Sequence, residues 1–336
     1  MRRLHPSVQA ESQIPKVIVK LSHPRAVYGY DGIGARGQSP GNLGVWGNYR
    51  FEINNDVDEC DYWIVIESVP DRESARVPDG NVIFVQGEPE YVRSYSPAYL
   101  RQFDWVVTWR EDIPGDNIIH TYCLDGWWVK RTYDQLKADA VTKTATLSVV
   151  ASDKAALPGH RRRYAFINRL IGHFKDRLTV FGSVAGAYCD DKYAALAPFR
   201  YSIAIEAAQF PDYWTEKIAD CFLCETMPLY YGCPNITDFF SPESVVSIDI
   251  DDYKTSIRAI EEAIEGDAYE RNRAHILEAK RKVLDEYQVY PHLVRLIESN
   301  RERFRRSPGR RRVELVPALK QMEPEVTAGW QREFMI

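Results

Sequence analysis

The feature that most constrains this chain is the alternation of short apolar runs with longer segments of helical spacing. Runs rich in β-branched and aromatic residues are typical of buried strands. Alternation of this kind favours parallel sheets covered by helices, so both halves of the chain are predicted to be α/β. The predicted strands are KVIVKL (16–21), YWIVIE (62–67), VIFVQ (82–86) and WVVTW (105–109), then LSVVA, LTVFG, YSIAI and MPLYYG. The predicted helical segments are 96–103, 160–174, 212–225 and the long charged stretch 253–303.

The length of 336 residues corresponds to about two domains at roughly 150 residues each. Residues 134–145 are polar and carry no strand signal, so we place the linker there. The predicted domains are therefore residues 1–140 and residues 146–300, followed by a basic tail, residues 301–336.

Composition narrows the class of protein. Apolar residues make up 45% of the chain, which excludes wholesale disorder. A net charge of -5 does not suit a dedicated nucleic-acid binder. No apolar run approaches the roughly 18 residues of a membrane span, and the start of the chain lacks the apolar segment of a secretory signal. The six cysteines set no disulfide framework, so we expect a cytoplasmic protein.

A candidate ligand site follows the predicted strand YSIAI. The strand delivers Glu206 to its carboxyl end, and a helix is expected to open near Asp212 with Glu216 and Lys217 in its first turns. Open α/β sheets bind ligands at this edge, and a helix start with a lysine favours phosphate. A nucleotide diphosphate would fit such a site. Glu216 need not pair with its neighbour Lys217, and could accept hydrogen bonds from hydroxyl groups; alternatively, both are solvated helix charges.

The same segment resembles the carboxyl-terminal motif of the family 10 glycosyltransferases, the α-1,3/4-fucosyltransferases. The similar stretches are IEAAQ, DYWTEK, MPLYYG and SPESVVSIDIDD, in order over residues 205–252. The resemblance implies that Lys217 contacts the donor diphosphate and that Glu216 and Tyr213 contact the ribose and sugar. Glu206 would shape the same pocket.

The first half of the chain carries a second similar segment, FVQGEPEYVRSYSPAYLRQFDWVVTWRED (84–112). In it, Glu88 takes the position of the family's proposed general base. A carboxylate suits that role, because the acceptor hydroxyl must lose its proton as it attacks the anomeric carbon. The alternative is that Glu88 is a turn residue before Pro89.

A third similar segment, VVASDKAALPGHRRRYAFINRL (149–170), contains three consecutive arginines. One guanidinium of this run, assigned to Arg163, could bind phosphate, because a planar fork suits oxyanions. The alternative is a solvated basic face.

Taken together, the resemblance implies a GT-B fold, in which two Rossmann-like domains face each other across a cleft. It implies inverting transfer of L-fucose from GDP-fucose to a glycan hydroxyl, with no metal and no cofactor required. Two departures keep alternatives open: Ala207 replaces the family's asparagine, and residues 183–198 contain no arginine. The alternatives are a transferase with another nucleotide sugar and a catalytically silent relative that binds a nucleotide sugar or glycan.

Two further patterns have structural interpretations. The pair Cys221 and Cys224 is too few for a zinc site, which needs four ligands. Because Phe222 and Leu223 lie between them, both cysteines are predicted to be buried in the core as small apolar residues. The tail segment 301–312 contains seven arginines and one acidic residue. It either holds the protein peripherally on an anionic membrane or forms a solvated, flexible end.

Overall fold

The computed structural model describes residues 15–24, 34–90, 92–124, 126–304 and 309–318. In this part of the chain, seven strands form the first sheet in the order β2-β3-β1-β4-β6-β7-β8. β2 pairs antiparallel with β3, and the remaining neighbours are parallel. The strands of the first half are β1 (Val17–Ser22), β2 (Val45–Trp46), β3 (Tyr49–Ile53), β4 (Tyr62–Ile66), β5 (Glu73–Pro78), β6 (Val82–Val85), β7 (Trp105–Thr108) and β8 (Ile118–His120).

The second sheet is parallel throughout and has the order β10-β9-β11-β12-β13. Its strands are β9 (Ala145–Val150), β10 (Thr179–Phe181), β11 (Phe199–Ile205), β12 (Met227–Tyr231) and β13 (Val246–Ser247). β11 and β12 are almost entirely buried, which is why both are continuous apolar runs in the sequence. The prediction of two α/β halves is confirmed.

Helices cover both sheets. Apolar residues at helical spacing line the buried side of the helix Pro158–Phe174, including Phe166, Leu170 and Phe174. The helices are α1 (Gly34–Gly37), α2 (Pro97–Leu100), α3 (Tyr133–Ala138), α4 (Pro158–Phe174), α5 (Lys192–Leu196), α6 (Glu216–Leu223), α7 (Tyr253–Glu265), α8 (Ala268–Arg271), α9 (Arg273–Lys282) and α10 (Val289–Ser299). A π-helical turn (Val283–Tyr287) links α9 to α10.

The cores divide the chain differently from the predicted boundaries at 140 and 300. Part of the predicted linker forms α3, and Tyr133 and Leu136 pack into the second core. After the second sheet the chain crosses back, and α10 packs against the first sheet, with Tyr290 edge-on to Phe51 at 5.0 Å. The chain therefore passes between the two domains twice. The sequence did not predict this return to the first domain. The helical pattern of residues 253–303 shows an apolar stripe but not which sheet that stripe will cover.

The predicted tail of residues 301–336 also needs correction. Residues Arg310–Leu315 form strand β14, which pairs antiparallel with β5. Val313 and Leu315 are buried against the first domain. Arg310 lies 2.8 Å from Asp61, and Arg311 lies 2.7 Å from Asp79. Residues 305–308 and 319–336 lie outside the described residues.

Those ion pairs bear on the predicted membrane contact of segment 301–312. The positive charges of Arg310 and Arg311 are matched by acidic side chains of the first domain, so these residues do not present a free cationic surface. Membrane association through this segment stays a prediction. In the part of the chain that the structure describes, no helix combines the length and apolar character needed to cross a membrane.

Candidate active site

Glu206 and Thr215 together fix the N-terminal end of helix α6. Glu206 follows β11 directly and is 1% exposed. Its Oε1 accepts hydrogen bonds from the Thr215 backbone N–H at 3.0 Å and from the Thr215 hydroxyl at 2.9 Å. Thr215 is the N-cap of α6, and its Oγ1 accepts from the Lys217 N–H. One backbone donor of the helix start is therefore already taken by Thr215.

The predicted helix start at Asp212 is wrong. Asp212 has a φ of 59°, a left-handed conformation that does not continue into a helix. The side chain of Asn235 accepts from the Asp212 N–H and donates to its carboxylate, at 2.9 Å in each case. Asn235, which follows β12, thus fixes the loop after β11. Helix α6 begins at Glu216, four residues after Asp212.

Lys217 lies between two carboxylates. Its Nζ is 3.3 Å from Glu206 Oε2 and 3.1 Å from Glu216 Oε1. The expectation that Glu216 and Lys217 need not pair is corrected, because the flexible lysine side chain folds back along the helix start. Burial lowers the pKa of Lys217, but the charges of Glu206 and Glu216 outweigh burial and leave it above its usual range. Lys217 is therefore a permanent cation at physiological pH.

Basic side chains gather beside Lys217. Arg163, on α4, is buried and donates to the Ser152 hydroxyl at 3.0 Å. Burial, followed by the charges of Arg163 and Lys217, lowers the pKa of Lys154 to about 7. Burial and the same cations lower the pKa of His160 to about 4. We call Arg163, Lys154, His160 and Lys217 the basic cluster. The charges of Arg163 and Lys217 disfavour protonation of Lys154 and His160, and a bound anion would favour it.

The three consecutive arginines have separate roles. Arg161 donates to the carbonyls of residues 155 and 156, and Arg162 pairs with Asp251. Of this run, Arg163 belongs to the basic cluster. Its binding of phosphate stays a prediction. Lys154 and His160 were missed. The signal for Lys154 was its place just beyond the carboxyl end of β9, the same edge of the sheet on which Glu206 lies.

Glu88 follows β6 in the first domain and is half-buried. Burial, and then the negative charge of Glu67, raises the pKa of Glu88 to about 7, while Lys217 opposes the shift. Glu88 therefore shares an electrostatic environment with Lys217 and Glu216 of the second domain. The predicted base of the first domain thus feels the charges of two predicted donor-binding residues of the second.

Tyr213 occupies the contact between the domains. Its ring is buried, lies 4.7 Å from the ring of Trp109, and packs with Phe210 and Cys123. The Cys123 N–H donates to the Asp212 carbonyl at 2.8 Å, so the loop before α6 is fastened to the first domain. The contact of Tyr213 with ribose or sugar stays a prediction.

Asp220, another residue that was missed, ties α6 to the chain segment between the domains. It is fully buried, lies 2.7 Å from Lys192 Nζ and accepts from the Trp128 N–H at 3.0 Å. Burial raises the pKa of Asp220 to about 6. From the sequence it resembled any other acidic helix residue, because its partners are distant along the chain.

The remaining patterns have structural roles. Cys221 and Cys224 are buried in the second core, as predicted. Asp252 caps α7 through the Thr255 N–H. Over the described ranges, no group of three or more histidine, cysteine, aspartate or glutamate side chains is placed to hold a metal ion.

Comparison with known proteins finds a family match for part of the chain. Residues 140–266 match the family model described as glycosyltransferase family 10 (fucosyltransferase), C-terminal part. A stretch of 114 residues is 32% identical to the alpha-(1,3)-fucosyltransferase FucT of Helicobacter pylori. This alignment covers 33% of the present chain and 23% of the relative's length. The predicted resemblance is thereby confirmed over this region.

A solved structure supports the fold over most of this chain. A crystal structure of an alpha1,3-fucosyltransferase with GDP matches with a TM-score of 0.50 and 19% identity, over 84% of this chain and 94% of its own. A crystal structure of an alpha1,3-fucosyltransferase with GDP-fucose matches with a TM-score of 0.47 and 18% identity, over 85% and 95%. Identity at this level shows the fold alone. The predicted GT-B fold, with two Rossmann-like domains, is confirmed.

Proposed function

Because residues 140–266 match the family model of the family 10 glycosyltransferases, we propose that this chain is an inverting glycosyltransferase. It transfers L-fucose from GDP-fucose to a hydroxyl of a glycan acceptor. The observation that carries the proposal is the position of Glu88, whose carboxyl group in the first domain is electrostatically coupled to Lys217 in the second.

The basic cluster supports a nucleotide diphosphate as the donor's leaving group. Arg163 and Lys217 supply two cations, and after burial their charges are the next largest causes of the lowered pKa of Lys154. A diphosphate would bring Lys154 back toward its protonated form. The donor then lies along the second domain, with Glu216 and Glu206 beside the phosphate-binding lysine.

The reaction needs one base and one leaving group. The acceptor oxygen attacks the anomeric carbon, its proton passes to the Glu88 carboxylate, and the bond from that carbon to the phosphate oxygen breaks. GDP leaves with the electron pair, and its developing charge is stabilised by Arg163 and Lys217. A base with a pKa of about 7 suits this step, because a substantial fraction of it is ionised at neutral pH and that form is basic enough to take the proton.

The test is release of nucleotide from GDP-fucose, GDP-mannose and UDP-glucose, each with a panel of glycans. We expect GDP release from GDP-fucose that depends on a glycan. Release of UDP from UDP-glucose alone would overturn the fucosyl donor and leave a transferase for another sugar.

Ala207, which replaces the family's asparagine, is the observation that favours the second candidate, a silent binding protein. Binding of GDP, measured by calorimetry, without release from any of the three donors would establish that candidate.

A further inference from the structure

We propose that Glu67 is the positioning residue for Glu88: its buried carboxylate holds the backbone of the Gly87–Glu88 loop so that the Glu88 side chain points into the cleft. This inference rests on the proposed function of Glu88 as the base. Glu67 lies directly after β4, at the same sheet edge as the loop that follows β6. It is outside every motif that the sequence resemblance covers.

The hydrogen bonds of Glu67 converge on the loop. Its Oε1 accepts from the Gly87 N–H at 2.5 Å and from the Glu88 N–H at 2.8 Å. Its Oε2 accepts from the Tyr95 hydroxyl and lies 3.5 Å from Arg93 Nη1. A carboxylate that accepts two adjacent backbone N–H groups determines the orientation of the peptide between them.

The rest of the loop is held from the other side. The Gly87 carbonyl accepts from the Trp109 indole N–H at 2.9 Å. The Glu88 carbonyl accepts from the Gln86 side chain at 3.2 Å. Both polar backbone groups of Glu88 therefore have side-chain partners, which restricts the directions open to its carboxylate.

Two backbone features show that the contact is closely fitted. Glu67 has a φ of 65°, a left-handed conformation that non-glycine residues rarely adopt and that clusters at functional sites. A Cβ at position 87 would lie 3.1 Å from Glu67 Oε1, so glycine allows the carboxylate its close approach to the loop.

Glu67 influences Glu88 through its charge as well as through its hydrogen bonds to the loop. The charged groups that face Glu88 are Glu67 and Arg93 of the first domain and Glu216 and Lys217 of α6. Among them Glu67 is the largest electrostatic influence, and it raises the pKa of Glu88. Removing its charge should therefore make Glu88 ionise at lower pH, since a like charge disfavours ionisation.

Two variants separate charge from position. Glu67→Gln keeps the shape and removes the charge, and Glu67→Asp keeps the charge and withdraws the carboxylate by one methylene. The Glu88 carboxyl is followed by 13C NMR of glutamate-labelled protein, with its signal assigned by its loss in Glu88→Gln. In Glu67→Gln we expect the Glu88 midpoint to fall by roughly half a pH unit or more, because a neighbouring like charge is gone.

In Glu67→Asp we expect kcat for GDP release to fall about 10- to 100-fold, because a small misplacement of a reacting group has costs of that size. The GDP dissociation constant should stay unchanged. Glu90→Gln is the matched control, because Glu90 is an exposed carboxylate of the same loop paired with Arg110. It should change neither the Glu88 titration midpoint nor kcat for GDP release.

An unchanged Glu88 titration in Glu67→Gln, or wild-type turnover in Glu67→Asp, overturns the inference. If Glu67→Gln does not fold, as judged by its melting temperature, Glu67→Asp carries the test. A wild-type protein that releases no GDP contradicts the proposed function instead, and the NMR titration, which needs no turnover, shows which of the two has failed.

Discussion

Lys217 Nζ lies 3.3 Å from Glu206 Oε2, so an ion pair joins the end of β11 to the first turn of α6. Glu206 is buried and also bonds the N-cap Thr215. The lysine that we assign to the donor diphosphate is therefore also part of the scaffold, and replacing it acts on two properties at once.

For Lys217→Ala we expect GDP binding to weaken by about 1.5–3 kcal/mol, the range for hydrogen bonds to charged groups. Calorimetry with GDP measures the change. The melting temperature should also fall, because Glu206 is left buried without its cation. Lys254→Ala, an exposed lysine of α7, is the control and should change neither quantity. An unchanged GDP dissociation constant for Lys217→Ala would contradict the assignment.

For Glu88→Gln we expect kcat to fall by about 10²–10⁴-fold, the usual contribution of a general base. GDP affinity should change little, because a base acts on the acceptor proton only in the transition state. Nucleotide release under saturating donor measures the rate. Wild-type turnover in Glu88→Gln would show that Glu88 is only a turn residue before Pro89.

The pH dependence of the wild-type reaction follows from the same residue. The pKa of Glu88 is raised to about 7, and the ionised form is the base. Activity should therefore be lost as pH falls through about 7, with a plateau above it. The measurement is kcat/KM for GDP release between pH 5 and 9. A plateau that extends down to pH 5 would contradict the assignment of Glu88 as the base.

Two glycines of α4 give a matched pair for stability and binding. A Cβ on Gly159 would lie 1.8 Å from the Ala207 carbonyl oxygen, whereas a Cβ on Gly172 would meet nothing within 4 Å. Gly159→Ala should push the start of α4 away from the loop after β11 and weaken GDP binding. Gly172→Ala should raise the free energy of unfolding by up to about 1 kcal/mol, the helix preference of alanine over glycine. Equal effects of the two changes in denaturant unfolding would contradict this packing.

The packing of strand β14 predicts how much stability is lost when one of its buried side chains is shortened. Leu315 is 1% exposed, whereas its neighbour Val316 is 37% exposed. Leu315→Ala should lower the free energy of unfolding by about 2–5 kcal/mol, as large-to-small core substitutions do. Val316→Ala should change it little. If urea unfolding of Leu315→Ala matches that of wild type, residues 310–315 do not pack on the first domain.

The sequence by itself determined the local elements and the identity of the principal charged residues. Buried parallel strands are continuous apolar runs, so β1, β4, β6, β7, β9, β11 and β12 could be located without any tertiary information. Glu206 directly follows β11 and Glu88 lies just beyond β6, so both could be placed at a strand end from the sequence. The roles of Glu88 and Lys217 were implied by the resemblance of the surrounding motifs.

The tertiary structure alone decided which of these residues meet. The coupling of Glu88 to Lys217, the support of Glu88 by Glu67, and the packing of α10 and β14 on the first domain all join positions that are far apart along the chain. Periodicity shows that a segment has an apolar face, but not which surface will cover it. The burial that raises the pKa of Glu88, and the left-handed backbone at Asp212 and Glu67, are features of the folded structure that no local sequence pattern predicts.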